Sequence, residues 1–523
     1  MMNKTLLSTT IAAVIATQTA VADYQIEEVV VSAQKREQGL QDVPIAITAF
    51  QGDFIKSANA ELLDDLVKYT PSLTVQNTTQ GEPNIYIRGI GSNDFGVGGD
   101  TSVGVFIDDV YVGRIHGALS DLADAERVEI LKGPQGTLFG RNTIGGAVSI
   151  TSKRPGDELA GKVKVEGGSY NKRRLDASVE VPVTDEFAMR VSGLINKRDG
   201  WKDNDFDDSE VENEDNSSVK LLAVYRPQDN FEAMFKLSYD DVDVISRGPQ
   251  STNPLYANGD AYDNINSDLG KKGLEARELY DASVHLSWDL GDYTFKSVTA
   301  YRDTDYDSRK DATGTGSRDA RLRTNIFMQA EQYSQEFRLN FDNGGDWIWF
   351  AGASIFYEDV SQGSLLESTN ETVKYVIQDR EPLIAPFILP DFPDGEDYFE
   401  TLENNGEYYS YAVYGDATWD FAPQWELTLG LRYSLDEKDH YLASNGPEPD
   451  KKVFFGTQDF PGIVYQTAEP AENDESWDAW TPRAVVRWNQ TDENMFYASA
   501  SRGYKSGALT AFCLIMILIP SMW

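Results

Sequence analysis

The chain has 523 residues, with 46 Lys and Arg against 85 Asp and Glu, a formal charge of −39. That acid excess argues against a nucleic-acid partner, whose binding rests on basic contacts to phosphate, while 41% hydrophobic residues are too many for a disordered chain. One cysteine (Cys513) and three scattered histidines (His116, His285 and His440, each expected at a surface or turn) provide neither a disulfide framework nor metal-ligand spacing.

Residues 1–22 read as an export signal. Lys4 supplies the positive start, Leu6 to Ala16 the short apolar run, and Ala20-Val21-Ala22 the small-residue cleavage site. The apolar run is too short for a membrane anchor. After residue 41 the chain mixes helix and strand up to about residue 155. Ala60 to Tyr69 places Leu62, Leu63, Leu66 and Val67 on one helical face before Pro71 stops it. Extended pieces follow at Asn84 to Arg88, Val103 to Val112 and Arg127 to Leu131.

Arg127 to Pro155 (RVEILKGPQGTLFGRNTIGGAVSITSKRP) has a strand-turn-strand pattern, with Gly133, Gly136, Gly140, Gly145 and Gly146 where backbone bends or approaches backbone closely. A phosphate loop is excluded, since no Lys-Ser/Thr pair follows Gly140 and the next segment alternates like a strand.

From about residue 156 to 509 the texture is alternation. Phe231 to Tyr239, Tyr333 to Phe341 and Trp425 to Tyr433 each place apolar residues on one face and polar residues on the other. Short turns at Pro182–Glu186, Pro227–Asn230, Leu290–Asp292, Asn343–Asp346, Ala422–Gln424 and Gln490–Glu493 separate much longer links at Asp243–Leu279, Thr304–Ala330, Glu358–Tyr408 and Glu437–Trp480. Short turns at one end and long loops at the other describe a transmembrane β-barrel, here of roughly thirteen strands. Trp288, Trp347, Trp419, Tyr433 and Trp488 would sit at its membrane interfaces. The acidic runs Asp203–Asn216 and Asp391–Glu400 read as solvated loops. No catalytic constellation with usable spacing emerges, so no enzyme and no cofactor are expected.

Several motifs, in order, resemble the TonB-dependent outer-membrane receptors: Glu27 to Ala33 (EEVVVSA), Ile85 to Gly91, Val105 to Tyr111 (VFIDDVY), Arg127 to Pro155 and Ser501 to Gly507 (SRGYKSG). The resemblance implies a mainly β fold, with an α+β plug (41–155) inside an antiparallel transmembrane barrel (156–509). It implies a mobile TonB-box segment (23–40) in which Glu28, Val29, Val30, Val31, Ser32 and Ala33 contact the inner-membrane protein TonB. Partners would be TonB, outer-membrane lipid and a scarce solute, a ferric siderophore or other iron complex. The alternatives are a carbohydrate, cobalamin or aromatic cargo, or a passive porin. Ser92 to Asp100 is the candidate plug apex, with Asn93, Asp94 and Phe95 as cargo contacts, and Arg88, Arg127 and Arg141 are expected to pair with carboxylates of the barrel lumen. The tail 510–523 departs from the family pattern, and the barrel is expected to be incomplete, with an open seam unable to form a working transporter.

Overall fold

The two largest sheets are nested, the inner one buried on both faces and the outer one built on period-two alternation. The computed structural model describes residues 29–508 apart from 33, 37, 78–82, 93–95, 118–120, 246–263, 381–391, 446–451, 454–457, 460–469 and 492–493. The export signal, Glu28, Ala33, Asn93, Asp94, Phe95 and the tail 510–523 with Cys513 lie outside the described residues.

The inner sheet has five strands: β1 (Ile47–Gln51), β2 (Val103–Ile107), β3 (Val110–Tyr111), β4 (Ala125–Lys132) and β5 (Gly146–Ser152), in the order β1-β4-β5-β2-β3. Only β2 and β5 run parallel. The core packs Ile55, Leu63, Leu66, Ile87, Val103, Val128, Ile130 and Val148. Two expected elements differ. Leu63–Tyr69 winds as a 3-10 helix, whose three-residue turn places Leu63 and Leu66 above one another in the core. Val103 to Val112 is a hairpin, because Asp108 and Asp109 take φ of 50° and 65° and make a tight reversal of the kind that suits twisted strands. A short helix, Gly52–Ser57, was not legible in the sequence.

The outer sheet is a meander of neighbours: β6 (Ala160–Gly167), β7 (Arg173–Thr184), β8 (Phe187–Arg198), β9 (Glu214–Gln228), β10 (Phe231–Val244), β11 (Leu274–Asp289), β12 (Tyr293–Asp311), β13 (Leu322–Asp342), β14 (Trp347–Thr369), β15 (Asp397–Ala422), β16 (Trp425–Asn445), β17 and β18 (Asn494–Ser501). β17 is one strand bent at Pro482: Ala471–Trp480 and Arg483–Thr491 pair successive parts of β16. Five of the six short turns fall where expected, between strands at the same end of the sheet, and residues 492–493 of the sixth lie outside the described residues. Among the described residues β6 and β18 each pair on one side only, so closure is not observed.

The long links are shorter than expected. β12 runs on to Asp311, β14 to Thr369, β15 starts at Asp397 and β16 ends at Asn445. β15 has 26 residues, whereas crossing a bilayer at a tilt takes about 9–11. In the remainder the outward face is mostly polar and the inward face mixed, as at buried Tyr398 and Leu366, so the alternation fades and the sequence looks like loop. The acidic run Asp203–Asn216 is likewise ordered: Lys202–Asn204 and Ser209–Val211 pair as a hairpin, and β9 starts at Glu214.

Gly146 at the start of β5 has φ of +147°, and a Cβ there would lie 2.1 Å from the Leu131 carbonyl oxygen. Gly146→Ala should destabilise the inner unit by more than about 1 kcal/mol, read as protease sensitivity of residues 47–152 with the outer sheet intact.

Candidate functional site

The outward face defines where lipid lies. Near the short turns, Trp347 stacks on Trp419 at 5.2 Å and Trp425 on Trp488 at 5.5 Å. About ten residues along each strand a second girdle joins Tyr301 to Tyr333 at 4.8 Å and Tyr357 to Tyr409 at 4.8 Å. Exposed Ile355, Val413 and Leu429 fill the band between. Ten residues at about 3.3 Å each, tilted by about 40°, span roughly 25 Å, the apolar height of an outer-membrane barrel.

Beyond the tyrosines, on the long-loop side, acidic residues face one another across successive strands: Asp303 opposite Glu331, Glu331 opposite Asp359, Asp359 opposite Glu407, and Glu407 opposite Asp439. Opposed like charges destabilise a sheet. Glu331→Gln should therefore raise stability by about 0.2–1 kcal/mol, measured as a higher midpoint of thermal unfolding in lipid.

The inward face is charged, and the inner unit neutralises it. Lys236 bonds Asp108 at 2.7 Å, Arg190 bonds Asp124 at 2.5 Å, Arg174 bonds Glu61 and Asp121 at 3.0 Å each, and Lys438 bonds Asp100 at 2.5 Å. In these pairs the polarity is the reverse of the one expected, whereas Lys153 bonds Glu180 of the wall at 2.9 Å and Arg154 bonds Glu232 in the expected sense. Arg88 is exposed, Arg127 pairs with Glu129 inside the inner unit at 2.5 Å, and Arg141 lies buried 4.5 Å from the Phe356 ring centre. In the lumen Arg114 carries the opposite sense, with Glu358 of the wall at 2.7 Å. His116 and His440 are buried as well, not at the surface.

The glycine-rich turn between β4 and β5 is mortised into the wall. The Asn142 amide donates to the Tyr504 carbonyl at 3.0 Å, and the Ser506 amide donates to Asn142 Oδ1 at 3.2 Å. Thr137 Oγ1 donates to the Thr481 carbonyl at 2.8 Å. A Cβ on Gly136 would come 3.1 Å from the Arg502 carbonyl oxygen, so this glycine allows backbone to meet backbone. The Arg127–Pro155 and Ser501–Gly507 motifs are thus two sides of one joint.

The described residues of the segment expected to be mobile, from Val29 on, are seated. Val30–Val31 pairs with Gln38–Gly39, and Val31 is wholly buried beside Leu138, Phe139, Phe350 and Tyr414. The Ser32 amide donates to Glu129 Oε1 at 2.7 Å, Lys35 bonds Asp109 at 3.0 Å, and Arg338 of the wall donates to the Lys35 carbonyl at 3.2 Å. Of the six residues expected to contact TonB, Val29, Val30, Val31 and Ser32 come together here.

Burial works against the charge of Asp108, but Lys236 and Lys220, with the Ser152 amide, hold its carboxyl well below the usual carboxylate range. A folded pKa depressed below the unfolded 3.8 stabilises above that value and loses its contribution as pH falls through the folded one. The contribution of this pair to seating should therefore persist through mild acid and be lost only well below pH 3.8. Asp108→Asn should weaken seating by about 3 kcal/mol at neutral pH, since it leaves Lys236 short of a buried partner. Protease protection across an acid titration measures both.

Residues 39–147 match the family model of the TonB-dependent receptor plug domain, and residues 200–512 match that of the TonB-dependent receptor-like β-barrel. The chain is similar to the ferripyoverdine receptor of Pseudomonas aeruginosa, 30% identical over 151 residues, which cover 29% of this chain and 18% of the relative. It is also similar to the catecholate siderophore receptor Fiu of Escherichia coli K12, 23% identical over 455 residues, covering 76% of this chain and 53% of the relative. The crystal structure of the ferric yersiniabactin uptake receptor FyuA from Yersinia pestis superposes with a TM-score of 0.72 at 17% identity, covering 90% of this chain and 66% of that one. The chain therefore spans about half or less of the two curated relatives' lengths.

Proposed function

The chain belongs to the TonB-dependent receptor family, and from that membership we propose that it serves energised uptake of an iron complex, a ferric siderophore by class, across the outer membrane. The seated plug carries this reading. A passive porin or specific channel needs an open lumen, and here the lumen of the described strands holds a domain tied to them by buried ion pairs. The relatives named for ferripyoverdine and catecholate siderophores favour iron over carbohydrate, cobalamin or aromatic cargo. The reading is of a receptor, with no catalytic step.

In this reading residues 1–22 are the leader, 23–40 the TonB-box segment, 41–155 the plug, 156–509 the barrel portion and 510–523 the divergent tail. TonB engages Glu28 to Ala33 by adding a strand. Beyond Gln38–Gly39, Val30–Val31 pairs with no other strand among the described residues, and strand addition needs mainly main-chain donors and acceptors. Cargo meets the apex around Asn93, Asp94 and Phe95.

Val30 is partly exposed, 38%, whereas its neighbour Val31 is wholly buried. Val30→Pro should remove a main-chain donor and reduce energised uptake of radiolabelled iron to background, with surface binding unchanged. Unchanged uptake would remove the TonB assignment. Expression that rises on iron starvation supports the cargo class, and expression that instead tracks a carbon source overturns it.

A further inference from the structure

We propose that Arg114 is a positioning residue, fixing the arm Gly96–Asp100 of the plug apex to the barrel wall and so setting where cargo is met. The inference rests on the apex being the cargo-facing part of the plug. Arg114 follows β3, and its guanidinium reaches four residues at once. Nε and Nη2 donate to Glu358 Oε2 of β14 at 2.9 and 2.7 Å. Nη1 donates to the Val97 carbonyl at 2.9 Å and to that of Gly99 at 3.5 Å. The plane lies 5.0 Å from the ring centre of Tyr408 on β15.

The neighbours converge on the same clamp. Tyr408 donates its hydroxyl to the same Val97 carbonyl at 2.6 Å. The Val97 side chain is 1% exposed in an apolar socket of the wall formed by Tyr306, Met328, Ala330, Val360 and Tyr408. Lys438 holds the end of the arm through Asp100 and the Gly98 carbonyl. The base of Arg114 is pinned too: the Gly113 amide donates to Gln332 Oε1 at 2.9 Å, and Gln332 Nε2 donates to the Tyr111 carbonyl at 2.7 Å. A Cβ on Gly113 would fall 2.2 Å from Glu358 Oε1, so glycine here lets Arg114 approach the wall. A planar fork spans a carboxylate and a carbonyl together, whereas a lysine ammonium is a single point charge.

The test is a nitroxide on Ser92→Cys, in a Cys513→Ser background of the full chain in outer-membrane lipid. Arg114→Lys should mobilise this label while a label on exposed Lys68→Cys stays unchanged. Lys236→Gln, which breaks a different plug–wall pair, should leave the Ser92 label alone. The proposal is overturned if Arg114→Lys leaves the label as in the native chain, or if Lys236→Gln mobilises it equally. In parallel, ferripyoverdine and a ferric catecholate are titrated against both chains, and Arg114→Lys should bind whichever the native chain takes at least about tenfold more weakly, 1.4 kcal/mol. Equal affinity overturns the cargo part. If the native chain takes neither complex, the iron reading of the function fails, while the label still decides the role of Arg114.

Discussion

A sheet that turns its apolar face to lipid must turn its polar face inward, and when that interior is filled its charges lose their water. Lys236, Arg190, Arg174 and Lys438 therefore need buried partners, and the plug supplies Asp108, Asp124, Glu61, Asp121 and Asp100. Such pairs add little net stability over apolar packing, because desolvation offsets most of their attraction. What they contribute is register. They also leave an interface whose surfaces are water-compatible when parted, which an apolar joint of the same area is not. Apolar contact between plug and wall is accordingly confined to a few places, chiefly the Val97 socket and the cluster around Val31.

The segment before the plug follows the same logic. Val31 is fixed by burial, Ser32 by Glu129, and Lys35 by Asp109 and Arg338. Each contact is modest, and several lie within a few residues of one another. Arg338 belongs to the wall and Asp109 to the plug, so the segment touches both bodies.

Much of the architecture was legible because lipid imposes a simple code. Phe231 to Tyr239 or Trp425 to Tyr433 could be read as strand at sight, and so could the short turns. The code stops where lipid stops. Tyr408 and Lys438 lie in stretches read as loop, since above the tyrosine girdle the outward face turns polar and the inward face mixes polar with apolar residues. Arg114 was missed for a related reason: its partners Glu358 and Tyr408 are separated from it by more than 240 residues, and no local pattern announces them. The polarity of the plug contact was also illegible, because a count of charges says nothing about which face carries them. The mobile leash was an expectation from family resemblance, and nothing in the local sequence announced that Val31 would be buried.

The joint between Asn142 and Tyr504 has a bearing on biogenesis. Its two halves lie more than 350 residues apart, and contacts so distant in sequence form late in folding. The plug turn leaves the ribosome well before Tyr504 and Ser506, so this joint closes only after more than 350 further residues are made. During transit through the periplasm, the plug's carboxylates and glycine turn have nothing to dock against. Slow assembly of the outer sheet would prolong that interval, in which exposed surface favours aggregation.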